Sequence, residues 1–182
     1  MINLKLDNET FELRNEANEI TLKEFNKIYT ILQSQTLGKL EQYCEVFKTL
    51  GLSESIIYDM DNDSFIELIK SFNAMTITSE LPVKEIELNG YKYVAYTGDE
   101  FKFKTKDLIE IEKSAKRGVT NFPSFILAII FKRADLTVNE HYEKSHLELK
   151  AKLFEDNVKA DFAIPYITLV AKKTLKSLED GK

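Results

Sequence analysis

Apolar and polar residues alternate along the first part of the chain. Ile2, Leu4 and Leu6 alternate with polar residues, and Phe11 and Leu13 resume the alternation after a short polar stretch. A period of two is typical of strands with one buried face, and the polar stretch between the two runs suits a turn. This segment therefore predicts an N-terminal β-hairpin.

Three helices are predicted behind this hairpin, because apolar residues there recur at intervals of three and four. Thr21 and Glu24 form a capping box, in which each side chain bonds the backbone N–H of the other residue. The second helix is predicted over about 37–50, and Gly51 ends it. Asp63-Ser64 offers an N-cap for a short third helix.

The pattern changes after residue 75 and predicts strands. Asn89-Gly90 is a strong two-residue hairpin signal, because both residues tolerate positive φ. Tyr91 and Tyr93 continue one face beyond this turn. A third strand is predicted at 101–103, ahead of a helix capped by Thr105. The result is a small antiparallel sheet, and the sequence leaves open whether the N-terminal hairpin joins it.

The last third of the chain is predicted to be helical. Residues 122–131 are apolar on nearly every side, so this helix is expected to be the most buried one. Thr137 and Glu140 form another capping box, which opens the next helix. The final helix carries many apolar residues, and Pro165 is expected in its first turn, because proline deeper inside would kink it.

These elements predict a mainly α (α+β) fold, a helical domain with a small antiparallel β-hairpin sheet. A chain of 182 residues fits one domain. Residues 1–75 are predicted to form the N-terminal hairpin and helical region. Residues 76–182 are predicted to form the second hairpin and the C-terminal helical region, and the two parts are expected to form one compact unit.

The net charge and the length of the apolar segments limit the kinds of partner that the chain is expected to bind. The net charge is −5 and arginine occurs only three times, which disfavours direct binding of nucleic acid. The longest apolar block is about half as long as a membrane span, and the first residues do not resemble a signal peptide. We therefore expect a cytoplasmic protein that does not bind membranes. Cys44 is the single cysteine and is expected to be a small buried hydrophobe.

The acidic run at 59–63 begins like a calcium-binding loop. Such a loop needs a glycine at position 6 and a glutamate at position 12. Here these positions hold Ser64 and Lys70, and an ammonium group cannot replace the closing carboxylate. The run is better explained as a turn whose acids favour the positive end of the next helix.

The two histidines do not form a recognisable metal site. Glu143 and His146 have the spacing found in di-iron bundles, but a second such pair is missing from the sequence. His141 and His146 lie five residues apart and cannot share one helix face. Both are expected at the surface, and no metal or cofactor is predicted. A small metal-dependent or hydrolytic enzyme, based on the 59–63 run and His146, is the alternative function.

Aromatic residues offer candidate contacts for a protein partner. Tyr91, Tyr93 and Tyr96 lie on the predicted hairpin, and Tyr166 and Val170 lie on the expected outer stripe of the final helix. Tyrosine is enriched in protein interfaces. The competing interpretation for the hairpin tyrosines is cross-strand packing over the helices.

Several segments, taken in order, resemble the tail-assembly chaperones and associated tail proteins of tailed bacteriophages. They are ITLKEF at 20–25, LNGYKY at 88–93, FKFKTKDLIE at 101–110, PSFILAIIFKR at 123–133, and Tyr142 with LKAKLF at 149–154. The resemblance covers the chain from about 20 to 178. It carries no catalytic residue.

The resemblance implies a non-enzymatic, protein-binding function in the host cytoplasm or in the virion. Proteins of this kind hold an aggregation-prone tail component until it is built in. The implied partner is a tape-measure or tail-tube protein, and a homo-oligomer is left open.

Overall fold

The computed structural model describes residues 2–6, 9–14, 16–73, 84–95, 105–116 and 121–180. Within these ranges the chain is mainly helical and carries two small antiparallel sheets. The predicted fold class is confirmed.

The N-terminal part begins with a hairpin and continues with four helices. The strands are β1 (Ile2–Leu6) and β2 (Glu9–Leu13), which pair antiparallel. The helices are α1 (Leu22–Leu32), α2 (Lys39–Thr49), α3 (Glu54–Asp59) and α4 (Asn62–Asn73). The predicted capping box is present, because the Thr21 hydroxyl accepts from the Glu24 N–H and the Glu24 carboxylate accepts from the Thr21 N–H. At α4 the cap is Asp61 and not Asp63, because its carboxylate accepts from the Ser64 N–H at 2.9 Å.

The remaining elements alternate strands and helices. They are β3 (Glu85–Leu88), β4 (Tyr91–Ala95), α5 (Thr105–Lys116), α6 (Phe122–Ile130), β5 (Phe131–Arg133), α7 (Val138–His141), α8 (Lys144–Asn157) and α9 (Ala160–Asp180). Pro165 is the sixth residue of α9, so the prediction that it lies in the first turn of the helix was wrong. The Thr137–Glu140 capping box is present.

The C-terminal sheet has the order β3-β4-β5, and all its neighbours are antiparallel. Asn89 and Gly90 both have positive φ in the turn between β3 and β4, as predicted. The predicted strand at 101–103 lies outside the described residues. The described third strand is β5, and its first residue, Phe131, had been predicted as the last residue of the apolar helix. Among the described strands, the N-terminal hairpin forms a sheet of its own.

Helix α6 lies at the centre of the larger hydrophobic cluster. Its buried residues are Pro123, Ser124, Ile126, Leu127, Ala128, Ile129 and Ile130. It contacts α1, α5, α8 and α9, which surround it with apolar side chains. This burial confirms the prediction from its uniformly apolar sequence.

A second hydrophobic cluster lies mainly in the N-terminal part and includes Phe47, Leu50 and Leu68. Helix α9 contributes Ala160 and Ile164 to this cluster and other residues to the larger one. The division of the chain into the regions 1–75 and 76–182 stays a prediction. No helix in the described part of the chain is long and apolar enough to cross a membrane.

Candidate functional site

A groove lies between the second hairpin and helix α8, and we call it the Tyr91 groove. Its volume is about 250 Å³. Its apolar side chains are Leu136, Leu149, Leu153 and the rings of Tyr91 and Tyr93; its polar residues are Asn89, Arg133, His146 and Lys150. The Tyr91 and Leu149 side chains are 46% and 69% exposed, so large apolar surface reaches solvent here.

Arg133 forms one side of the Tyr91 groove and is held from two directions. Its guanidinium carbon lies 4.2 Å from the centre of the Tyr91 ring, a cation–π contact. Its Nε and Nη2 atoms donate to the Asp135 carboxylate at 2.6 and 2.9 Å. These bonds raise the pKa of Arg133. The side chain is therefore a fixed cation beside an exposed aromatic ring.

Three of the predicted partner-binding residues belong to the core, and their placement on a free surface was wrong. Tyr93 is 2% exposed and packs edge-on against Phe154 at 5.7 Å between ring centres. Tyr166 is fully buried, and Val170 is 3% exposed. Tyr91 is exposed as predicted, and Tyr96 lies outside the described residues.

The spacing of the final helix explains this error. Phe162, Tyr166 and Val170 recur every four residues, which places them on one helix face. That face packs against Phe131, whose ring centre lies 5.0 Å from that of Tyr166. The stripe interpreted as outer is therefore the stripe that faces the core.

His141 was expected at the surface but is 2% exposed, so that prediction was wrong. Its Nε2 lies 3.1 Å from the carbonyl oxygen of Ile129, and its Nδ1 lies 2.6 Å from Nζ of Lys150. A carbonyl oxygen can only accept, so Nε2 must carry the hydrogen. Nδ1 then presents its lone pair to Lys150, which donates.

Lys150 also donates to the carbonyl oxygens of Ala128 at 2.7 Å and Phe131 at 3.4 Å. These acceptors lie where α6 ends and runs directly into β5. The last carbonyls of a helix lack partners within the helix, and here Ile130 and Phe131 are almost fully buried. Lys150 and His141 supply the missing donors, and a positive charge suits this end of the helix dipole.

Burial controls the charge of this pair. Burial, together with a smaller contribution from the charge of Lys150, lowers the pKa of His141 to about 3, so the imidazole is neutral. Burial likewise lowers the pKa of Lys150 to about 7, with contributions from Lys132 and Arg133. The carbonyl oxygens of Ala128 and Phe131 accept hydrogen bonds from the protonated ammonium. These bonds stabilise the charged form and oppose the lowering of the Lys150 pKa.

A neighbouring network involves Asp107, which is 2% exposed on α5. Its carboxylate accepts from the Tyr142 hydroxyl and lies 3.2 Å from Nζ of Lys132. Lys132 also donates to the Tyr142 oxygen at 2.9 Å. No local pattern in the sequence indicated this network, because its members lie on α5, on β5 and in the turn between α7 and α8.

The other sequence candidates are not brought together. Asp61 caps α4, and His146 lies on α8 at the Tyr91 groove. Among the described residues, no three His, Cys, Asp or Glu side chains form a group that could hold a metal ion. Cys44 is half-buried and packs against the N-terminal cluster, and burial raises the pKa of its thiol.

Comparison with known proteins gives no match: no family model, no curated protein and no solved structure is significantly similar to the chain. Function is therefore inferred from the residues themselves.

Proposed function

We propose that the protein is a non-enzymatic, protein-binding protein, a bacteriophage tail-assembly chaperone or tail-associated structural protein. The Tyr91 groove is the proposed contact surface. The observation that carries this proposal is the exposure of Tyr91 and Leu149 in one groove beside a fixed arginine. The sequence resemblance supplies the class of partner, a tape-measure or tail-tube protein.

The composition of the groove suits a protein interface. Tyrosine and arginine are the residues that most often carry binding energy at such interfaces. Leu149 adds apolar area that a partner would remove from water. Tyr93 forms a packed floor, so Tyr91 is presented on a rigid strand and needs little ordering when a partner binds.

The buried Lys150–His141 pair supports a structural and not a catalytic role for these groups. A nucleophilic amine needs a lone pair directed at a substrate. Lys150 faces two carbonyl oxygens and the Nδ1 lone pair, which together take up its three N–H donors. His141 likewise donates its one N–H to the carbonyl oxygen of Ile129.

Co-expression with a candidate tape-measure protein tests the proposal. We expect a complex that co-purifies by size-exclusion chromatography and keeps the tape-measure protein in the soluble fraction. The Tyr91→Ala/Leu149→Ala double variant should lose this complex while retaining its melting temperature. Tyr58→Ala is the matched control, because Tyr58 is 68% exposed and lies outside the groove. A complex that survives the double variant, or that never forms, would contradict the proposal.

A further inference from the structure

We propose that the Tyr91 groove selects an acidic, apolar segment of the partner protein. In this segment one large apolar side chain enters the groove, and a neighbouring carboxylate meets Arg133. The inference rests on the proposed function and specifies the chemistry of the partner.

Within the described part of the chain, the groove is lined by the cations Arg133 and Lys150 and by no aspartate or glutamate. Lys132 lies close enough to Lys150 to influence its ionisation. The carboxylates that lie near these cations include those of Asp107, Asp135 and Glu140, and none of these three residues lines the groove.

The Arg133 side chain is pre-organised to bind a carboxylate of the partner. A guanidinium group has five N–H donors in a planar fork. The bonds to Asp135 use two of them, and Tyr93 takes a further hydrogen bond. Donors therefore remain, on a group whose position is already fixed by Asp135 and by the Tyr91 ring. Little side-chain entropy would be lost when such a group binds.

The size of the groove limits what enters it. A volume of about 250 Å³ is below the usual range for sites that enclose a small-molecule ligand. It suits one large side chain between Leu136, Leu149 and Leu153. An anchoring residue of a protein partner fits these dimensions.

A basic segment would be repelled by Arg133 and Lys150. A purely apolar segment would cover the remaining N–H donors of Arg133 without pairing them, which is costly.

Fluorescence anisotropy with matched labelled peptides tests the inference. The first peptide has one phenylalanine between two aspartates, the second has lysines in place of the aspartates, and the third has alanine in place of the phenylalanine. At low salt we expect the first to bind at least about tenfold more tightly than either of the others, with an affinity that falls as salt rises.

Two variants locate the binding. Arg133→Gln and Leu149→Glu should each weaken binding of the first peptide about tenfold or more, the latter by adding a negative charge at an exposed position. Arg14→Gln is the matched control, because Arg14 is also paired with a carboxylate, that of Glu24, but lies outside the groove. Thermal melts of every variant show whether the fold is retained, and Leu149→Glu alone suffices if Arg133→Gln unfolds.

The outcomes separate this inference from the proposed function. Preference for the aspartate peptide that both groove variants remove would support the inference. Equal binding of the aspartate and lysine peptides, or binding that ignores the groove variants, would overturn it. If no peptide binds but the tape-measure complex still depends on Tyr91 and Leu149, the proposed function stands and the partner chemistry inferred here is wrong.

Discussion

The Nζ atom of Lys150 lies 2.6 Å from Nδ1 of His141 inside the protein, and both side chains bind carbonyl oxygens at the end of α6. The two residues are nine positions apart on different helices. Together they close the polar end of the most apolar helix in the chain, at the point where it turns into the strand beside the Tyr91 groove.

Replacing Lys150 with methionine should destabilise the fold. The substitution keeps the length of the side chain but leaves the Ala128 carbonyl and His141 Nδ1 without a donor. Each buried acceptor left without a partner costs roughly 1–3 kcal/mol in the free energy of unfolding. Chemical denaturation measures this loss. Lys152→Met is the control, because Lys152 is more than half exposed and its ion pairs contribute little. Equal stability of the two variants would show that Lys150 does not cap α6.

Stability should fall with acid because His141 is buried in its neutral form. Its pKa is about 3 in the folded protein against 6.5 ordinarily, so between these values the unfolded chain binds a proton that the folded protein does not. The stabilisation is complete above about pH 6.5 and is lost as the pH falls towards 3, by at most about 1.4 kcal/mol per unit.

Urea unfolding at several pH values between 5 and 7 measures this slope, in a range where most carboxylates keep their charge. His141→Gln should flatten the slope whatever its effect on absolute stability. His146→Gln, which replaces the less buried histidine, is the matched control. A slope that His141→Gln does not alter would assign the pH dependence to other groups.

Thermal melting of alanine variants should distinguish the buried Tyr166 from the exposed Tyr91. Tyr166→Ala removes a fully buried ring and should cost roughly 3–5 kcal/mol. Tyr91→Ala removes a ring that is 46% exposed and should cost far less, because less apolar surface returns to water. Similar melting temperatures for the two variants would mean that Tyr166 is not where the structure places it.

Two residues of α6 offer a further comparison within one helix. Ile129 is fully buried, whereas Phe125 is only partly buried, although the sequence predicts both in the core. Ile129→Ala should lower the free energy of unfolding by roughly 2–5 kcal/mol. Phe125→Ala should cost less despite removing a larger side chain. Denaturant titrations of both variants measure the two losses in the free energy of unfolding. A greater loss for Phe125→Ala than for Ile129→Ala would contradict the prediction.

Local signals predicted the elements of this fold well. The capping boxes at Thr21 and Thr137 and the Asn89-Gly90 turn depend on residues close in sequence, and each is present in the structure. Strand β5 was missed because only Phe131 belongs to the apolar run, and three residues are too few to show the alternation of a strand. Pairing with β4 decides the strand, and that contact is remote in sequence.

The candidate site could be predicted only in part. The exposure of Tyr91 followed from its place on a hairpin. The burial of Tyr93 depends on Phe154 of α8, about sixty positions away, and the burial of His141 depends on carbonyl groups of α6. A polar residue at the surface and one that caps a buried helix end look alike in sequence, because the difference lies in tertiary contacts.

Binding of a purified candidate tape-measure or tail-tube protein to wild type and Tyr91→Ala tests the proposed role of the Tyr91 groove most directly. Isothermal titration calorimetry should show a dissociation constant at least about tenfold higher for Tyr91→Ala, as expected for an interface anchor, with an unchanged melting temperature. Tyr58→Ala should bind like the wild type. An unchanged dissociation constant for Tyr91→Ala would contradict the assignment of the Tyr91 groove as the partner-binding surface.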